Sequence, residues 1–394
     1  MYENDMRQTA LLPIMPGERI EAIDVLRGIA IFGVLLAFTV WNLGGPPAST
    51  LSTADTVINF ILDLFLDSKA YTLLAFLFGV GFSIQMMRAD ERGASIVPSY
   101  LRRLLGMMLI GLIHALLLRN GDILVPYATM GFVLLLFRNA SDKTLLVAAL
   151  VGSTVQFVAY GLWELSGIPF PSRPETEGMS HLAANLLWVK LWYTTAITNW
   201  PSALPMFFFG LYIGRRRVLE NIAAYTKTLW RVLFLGLAVG VIFYAIPLVL
   251  SGMVPKSKLV GVLFAYALRV HAWGFASFYA TSILLLLQRR FWQRVLSPFA
   301  PVGRMALTNY LLQATIIVPL CIVFDLYDKV TPSFGVLLGV LVFLFQVPFS
   351  VLWLRHFRFG PAEWLWRSIT YWKPQPMRLP SSATPQPRAV LSDC

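Results

Sequence analysis

The sequence predicts an all-α fold, a polytopic integral membrane bundle of about ten transmembrane helices with both termini cytoplasmic. Three observations carry this reading. Of 394 residues, 57% are hydrophobic and only 13% charged, about half the charged share of an ordinary soluble domain. The apolar residues fall in runs close to the twenty or so that a helix needs to cross hydrocarbon while satisfying its own backbone groups. The basic residues are distributed unevenly between the loops that these runs would leave on the two sides.

Residues 1–18 are polar, hold Pro13 and Pro16, and lack the basic start and small-residue cleavage site of a signal peptide. They read as a cytoplasmic tail. The first span covers about 26–44, with Asp24 and Arg27 three residues apart at its start, on one helical face, as a structural ion pair. Asn42 marks its far end. Residues 54–67 alternate apolar and acidic positions at helical spacing, which suits a helix lying in the membrane interface. A second span follows at 70–87, where Gly79 and Gly81 permit close helix packing.

The third and fourth spans, 104–118 and 123–137, form a hairpin around the short polar turn Arg119-Asn120-Gly121-Asp122. A fifth span covers 144–165. Residues 166–180 are dense in proline, glycine and acid and read as a loop, followed by an interfacial segment through Trp200. Spans six to ten cover about 203–214, 232–250, 259–287, 305–324 and 334–354. Beyond Lys373 the chain is rich in proline and serine. The organisation is therefore a tail at 1–18, one transmembrane domain at 19–370 and a disordered cytoplasmic tail at 371–394.

With the N-terminus inside, 23 of the 32 lysines and arginines fall on the cytoplasmic side and seven opposite. The net charge of +12, which in a soluble chain would suggest nucleic acid, here orients helices, and no nucleic-acid partner is expected. The partners are membrane lipids, and the location is the inner, or plasma, membrane.

His114 stands inside the third span, eight residues before Asp122 and so roughly 12 Å below its helix end at helical rise. An ionisable group at that depth marks a functional site by default, and histidine is the side chain suited to take and return a proton near neutral pH. The competing use of such a histidine is to bond a nearby backbone carbonyl. Arg269 and His271 lie in the eighth span, roughly 15 to 18 Å from its exterior end, and a central arginine is costly because it cannot shed its charge. The two diverge by about 200° around an ideal helix.

A cavity open toward the exterior is expected to hold His114, Arg269, His271 and Asp122. His114, Arg269 and Asp122 are the candidate catalytic residues; His271, Asn42, Tyr127 and Asn309 are candidate substrate contacts. The four histidines, 114, 181, 271 and 356, show no metal-ligand spacing, Cys321 and Cys394 supply no disulfide framework, and no metal is expected. No glycine-rich phosphate loop or Ser-His-Asp set is present.

The motifs ERIEAIDVLRGIAIFGVLL (18–36), KAYTLLAFLFGVGFSIQMMR (69–88), RRLLGMMLIGLIHALLLRNGDIL (102–124), GRMALTNYLLQ (303–313) and FGPAEWLWR (359–367) make the chain resemble the YeiB-like membrane protein family (domain of unknown function 418). That family is grouped with membrane acyltransferases, including enzymes that pass acetyl groups from cytoplasmic acetyl-CoA to sugars across the membrane, and in them a membrane histidine serves acyl transfer. The resemblance implies that role for His114, although its immediate surroundings, IHALLL, carry no acid. It implies no tightly bound cofactor and acyl-CoA as the donor, held by basic loops such as 215–217 or 289–294. Three functions follow: an acyltransferase acting on an extracytoplasmic glycan, lipid head group or small molecule; a transporter or exporter using a His and Arg relay; and a non-catalytic scaffold.

Overall fold

Ser52, Ser141, Ser257 and Thr331 each stand just before an apolar run, and each accepts a hydrogen bond from a backbone N–H of the first turn that follows. Such caps satisfy donors that a helix start leaves open. The computed structural model describes residues 20–43, 45–118, 121–168, 179–194, 196, 200–255 and 257–379. Among these every extended element is helical; Phe357 and Arg378 form an isolated bridge.

In chain order the α-helices are α1 (Glu21–Ala37), extended by one π turn at Phe38–Asn42, α2 (Thr53–Phe65), α3 (Lys69–Glu91), α4 (Val97–Leu117), α5 (Leu124–Leu136), α6 (Asp142–Ser166), α7 (His181–Thr194) and α8 (Leu204–Arg215). The second half holds α9 (Thr226–Leu250), α10 (Lys258–Leu286), α11 (Arg290–Leu296), α12 (Phe299–Arg304), α13 (Ala306–Val323), α14 (Pro332–His356) and α15 (Pro361–Tyr371).

Among the described residues, eight segments are long and apolar enough to cross a membrane. The two further spans expected at 123–137 and 203–214 form helices of only 13 and 12 residues, about 20 and 18 Å long by helical rise. They nevertheless run to one face. Arg215 donates to the carbonyls of Arg138 and Ala140, Arg216 pairs with Asp142 at 2.9 Å, and Arg217 pairs with Glu91 at 2.7 Å. These contacts gather the ends of α3, α5 and α8 and the start of α6 on what we term the basic face. The arginines of 215–217 thus tie loops together.

Helix crossings are close where small residues allow it. A side chain at Gly79 would strike the Phe207 carbonyl and one at Gly210 the Phe76 carbonyl, so the short α8 is pressed backbone to backbone onto α3. Exposed Leu, Val and Phe cover the outer faces of α6 and α9, an apolar surface that suits lipid and would be anomalous in water.

The tail expected to be disordered from 371 is ordered further. Arg358 and Leu379 donate backbone hydrogen bonds to Met377 and His356, and the Trp364 indole donates to the Gln375 carbonyl at 2.7 Å. Residues 380–394, the tail at 1–18 and the turn residues Arg119 and Asn120 lie outside the described residues.

Candidate functional site

Asp122 opens α5, and its Oδ2 accepts the Val125 N–H at 2.9 Å, which fixes the carboxylate against a helix start. Its Oδ1 lies 3.0 Å from His114 Nδ1 near the end of α4. The Tyr310 hydroxyl of α13 donates to the same Oδ1 at 3.1 Å and accepts the Ile123 N–H at 3.3 Å. His114 and Asp122 are each 2% exposed. A buried carboxylate needs such donors, since an unpaired charge in an apolar interior is very costly.

Gly111, one turn before His114, makes the approach feasible: a methyl there would sit 2.7 Å from Asp122 Oδ2 and 2.8 Å from the Leu124 Cβ. The acid that the IHALLL run lacks therefore arrives from the far side of the turn.

An ionised carboxylate only accepts hydrogen bonds. A neutral His114 beside it must carry its proton on Nδ1, which leaves the Nε2 lone pair available. His114 Nε2 is buried and has no hydrogen-bond partner among the described residues. Held on one nitrogen and open on the other, the imidazole has the arrangement of a general base oriented by an acid.

The dyad is closed on the side of α7, where Asn185 donates to the Leu116 carbonyl at 3.2 Å. Burial and the nearby Asp122 carboxylate push the Tyr193 phenol up. On the other side lies a cavity of about 280 Å³. Met107, Ile123, Leu124, Tyr127 and Tyr310 line its inner end, and Arg27, Arg88, Arg92, Arg103, Arg304 and Arg367 line its wall toward the basic face, with Asp24 and Glu363 as the acids.

Asp24 and Arg27 pair at 3.5 Å, i to i+3, as the sequence spacing implies. Glu363 is committed to the start of α13, accepting from the Leu307 and Thr308 N–H groups and the Thr308 hydroxyl at 2.5 to 3.0 Å. Burial pushes the Glu363 carboxyl up, against the pull of these hydrogen bonds.

The expectation of one cavity for all four titratable groups is not met. None of the four lines this cavity: His114 and Asp122 stand behind Tyr310, Ile123 and Leu124, which do, while Arg269 and His271 lie elsewhere. His271, 1% exposed, sets Nδ1 at 2.8 Å from the Gly240 carbonyl and packs against the Tyr244 and Phe275 rings, with centroids 4.9 Å away in both cases. Arg269 lies within electrostatic range of Asp67 and Tyr160. Depth along a span was legible in the sequence, but the direction in which each helix faces was not.

Tyr127 lines the cavity while its hydroxyl donates to the Tyr71 carbonyl at 2.5 Å. Asn309 joins α13 to α14: its side-chain amide donates to Ser350 at 2.9 Å, and Gln346 donates to its backbone carbonyl at 2.8 Å. The Asn42 side chain lies outside the described residues. Tyr310 was not anticipated; its signal was a phenol inside an apolar run, in the GRMALTNYLLQ motif.

A family model described as a protein of unknown function (DUF418) matches residues 213–373. Over nearly its whole length the chain is similar to the uncharacterized protein YxaH of Bacillus subtilis, at 34% identity over 93% of this chain and 98% of that protein. It is also similar to an uncharacterized 39.9 kDa protein in the amylase 3' region of Bacillus acidopullulyticus, at 30% over 94% and 99%. The uncharacterized protein YeiB of Escherichia coli is 30% identical over 90% of this chain and 96% of its own.

Proposed function

The chain belongs to the YeiB-like DUF418 family, and on that footing we propose that it is an integral-membrane acyltransferase of the plasma membrane with His114 as its general base. One observation carries the reading: His114 is held at Nδ1 by Asp122 and has no partner at Nε2 among the described residues, and Tyr310, which bonds Asp122, lines a cavity with arginines in its wall. The positive-inside rule puts that wall toward the cytoplasm, where acyl-CoA is the available donor. The acceptor is an extracytoplasmic glycan, lipid head group or small molecule.

In the reaction, His114 Nε2 takes the acceptor hydroxyl or amine proton as its oxygen or nitrogen attacks the thioester carbonyl. The carbon–sulfur bond then breaks, and the imidazolium returns the proton to the leaving thiolate. Asp122 stabilises the imidazolium and fixes its orientation. Tyr310, through its hydroxyl on Asp122, and not Arg269, joins the dyad to the cavity. A cavity that ends at Tyr310, one hydrogen bond from Asp122, supports catalysis at the dyad over passage of a solute through it.

Mass spectrometry of acylated glycans and lipids across wild type, His114→Ala, His114→Gln and Asp122→Asn tests the reading. All three variants lose the modification while protein levels hold. A stable, active His114→Ala protein overturns it.

A further inference from the structure

We propose that Tyr100 and Arg103, on the cavity-facing side of α4, form a binding site for the phosphoryl group of a phosphate ester. Both residues line the cavity. The Tyr100 hydroxyl and the Arg103 Nε are buried, and neither has a hydrogen-bond partner among the described residues; Tyr100 is 1% exposed. Being three apart on a helix, the two face the same way. Buried donors without acceptors are destabilising, and two of them converging on one cavity specify an acceptor that the ligand must bring.

The surroundings narrow its chemistry. The Arg103 guanidinium lies 3.9 Å over the Trp366 ring, and the Trp366 indole donates to the Arg103 carbonyl at 2.7 Å. Stacking fixes the plane of the fork and leaves its N–H groups directed outward along their edge, the geometry that grips a tetrahedral oxyanion. The cavity's own carboxylates are engaged: Glu363 caps α13 and Asp24 pairs with Arg27. Six arginines against two acids in the lining select a multiply charged anion such as a phosphate ester over a lone carboxylate.

Arg103 precedes His114 by eleven residues on α4, about 16 Å by helical rise. A ligand gripped at Arg103 therefore places the far end of an extended arm beside Tyr310 and the dyad. The inference rests on the acyl-transfer reading only for what that arm carries. The phosphate ester comes either from a soluble thioester carrier such as coenzyme A or from an anionic phospholipid head group.

The test is binding to the purified full-length protein in nonionic detergent, with coenzyme A followed by calorimetry and phosphatidylglycerol followed as retained lipid by native mass spectrometry. Wild type binds coenzyme A, and added salt weakens binding. Arg103→Gln weakens it about tenfold or more, since charge-assisted hydrogen bonds are the strong class. Arg103→Lys does not restore it, Tyr100→Phe weakens it several-fold, and Lys227→Gln, at an exposed position outside the cavity lining, leaves it unchanged. Tyr100→Phe keeps the ring's packing and carries the test where Arg103 variants lose their fold.

Retention of phosphatidylglycerol that these variants abolish, without coenzyme A binding, supports the site with a lipid as its source and removes acyl-CoA from the cavity. Folded Tyr100→Phe and Arg103→Lys proteins that bind like wild type overturn the site, as does a wild type that binds neither probe. Coenzyme A binding that depends on Arg103, together with an active His114→Ala protein, would sink the assignment of His114 as the base and leave the phosphate site standing.

Discussion

Among the described residues two histidines are buried in this bundle, and their surroundings separate a reactive group from a packing group. Each is anchored through Nδ1, and each leaves Nε2 without a hydrogen-bond partner among the described residues. His114 is anchored by a carboxylate that a tyrosine and a backbone N–H also hold, and Tyr310 links that carboxylate to an arginine-walled cavity. His271 is anchored by a backbone carbonyl between the Tyr244 and Phe275 rings. Tyr244 in turn bonds Asp63 of α2 at 2.9 Å, and the Asp63 carbonyl accepts from Lys69 of α3. A carbonyl fixes a tautomer as well as a carboxylate does. Only the carboxylate stabilises the positive charge that appears when the ring takes a proton, so depth in the membrane alone does not identify a base.

The largest expected contrast is in rate. Asp122→Asn should lower acyl transfer by about 10⁴-fold, as loss of the orienting acid does in comparable sites, and His114→Ala by about 10²- to 10⁴-fold. His271→Ala should leave the rate per folded molecule within a few-fold. Parallel assays on purified protein check this, and equal losses at the two histidines would erase the distinction.

Stability should show the reverse order. His271→Ala abandons the Gly240 carbonyl in an apolar joint and should cost about 1 to 3 kcal/mol, read as a lower thermal midpoint in detergent. Gly111→Ala sharpens the comparison from the other side. Its methyl would meet Asp122 Oδ2 at 2.7 Å, an overpacking cost of about 1 to 3 kcal/mol, and its loss of activity should exceed its loss of stability because the displaced group is the dyad's acid. The smallest effect belongs to Asp24 and Arg27. Their pair is partly exposed at 3.5 Å, so exchanging the two residues should restore whatever either single reversal loses, with a pairwise term of about 0 to 1 kcal/mol, measured by a double-mutant cycle.

The fold class and the order of the spans were legible because apolar runs of bilayer length admit few alternatives in a chain so poor in charge. The lengths of α5 and α8 were not. The α5 helix starts at a buried aspartate, and α8 is held by glycine contacts with α3, both products of tertiary packing. At the site, His114 and Asp122 stood out as polar residues in an apolar hairpin, but their contact depends on the space at Gly111 and on how the turn folds. Tyr310 joins Asp122 across 188 positions of sequence, a separation that no local pattern reports. Arg103 is one of many basic residues on its side of the bundle, and no local pattern reports its stack on Trp366 or its place in the cavity wall.

The central claim is that Asp122 holds His114 as the Nδ1–H tautomer and so keeps Nε2 free to act as a base. Nitrogen-15 NMR of the full-length protein with labelled histidine, assigned by His114→Gln and His271→Gln, measures this without any substrate. The account predicts a His114 signal with a strongly hydrogen-bonded Nδ1 proton and a bare Nε2, a pattern that Asp122→Asn abolishes and His271→Gln leaves unchanged. A His114 protonated on Nε2, or one indifferent to Asp122→Asn, would contradict it.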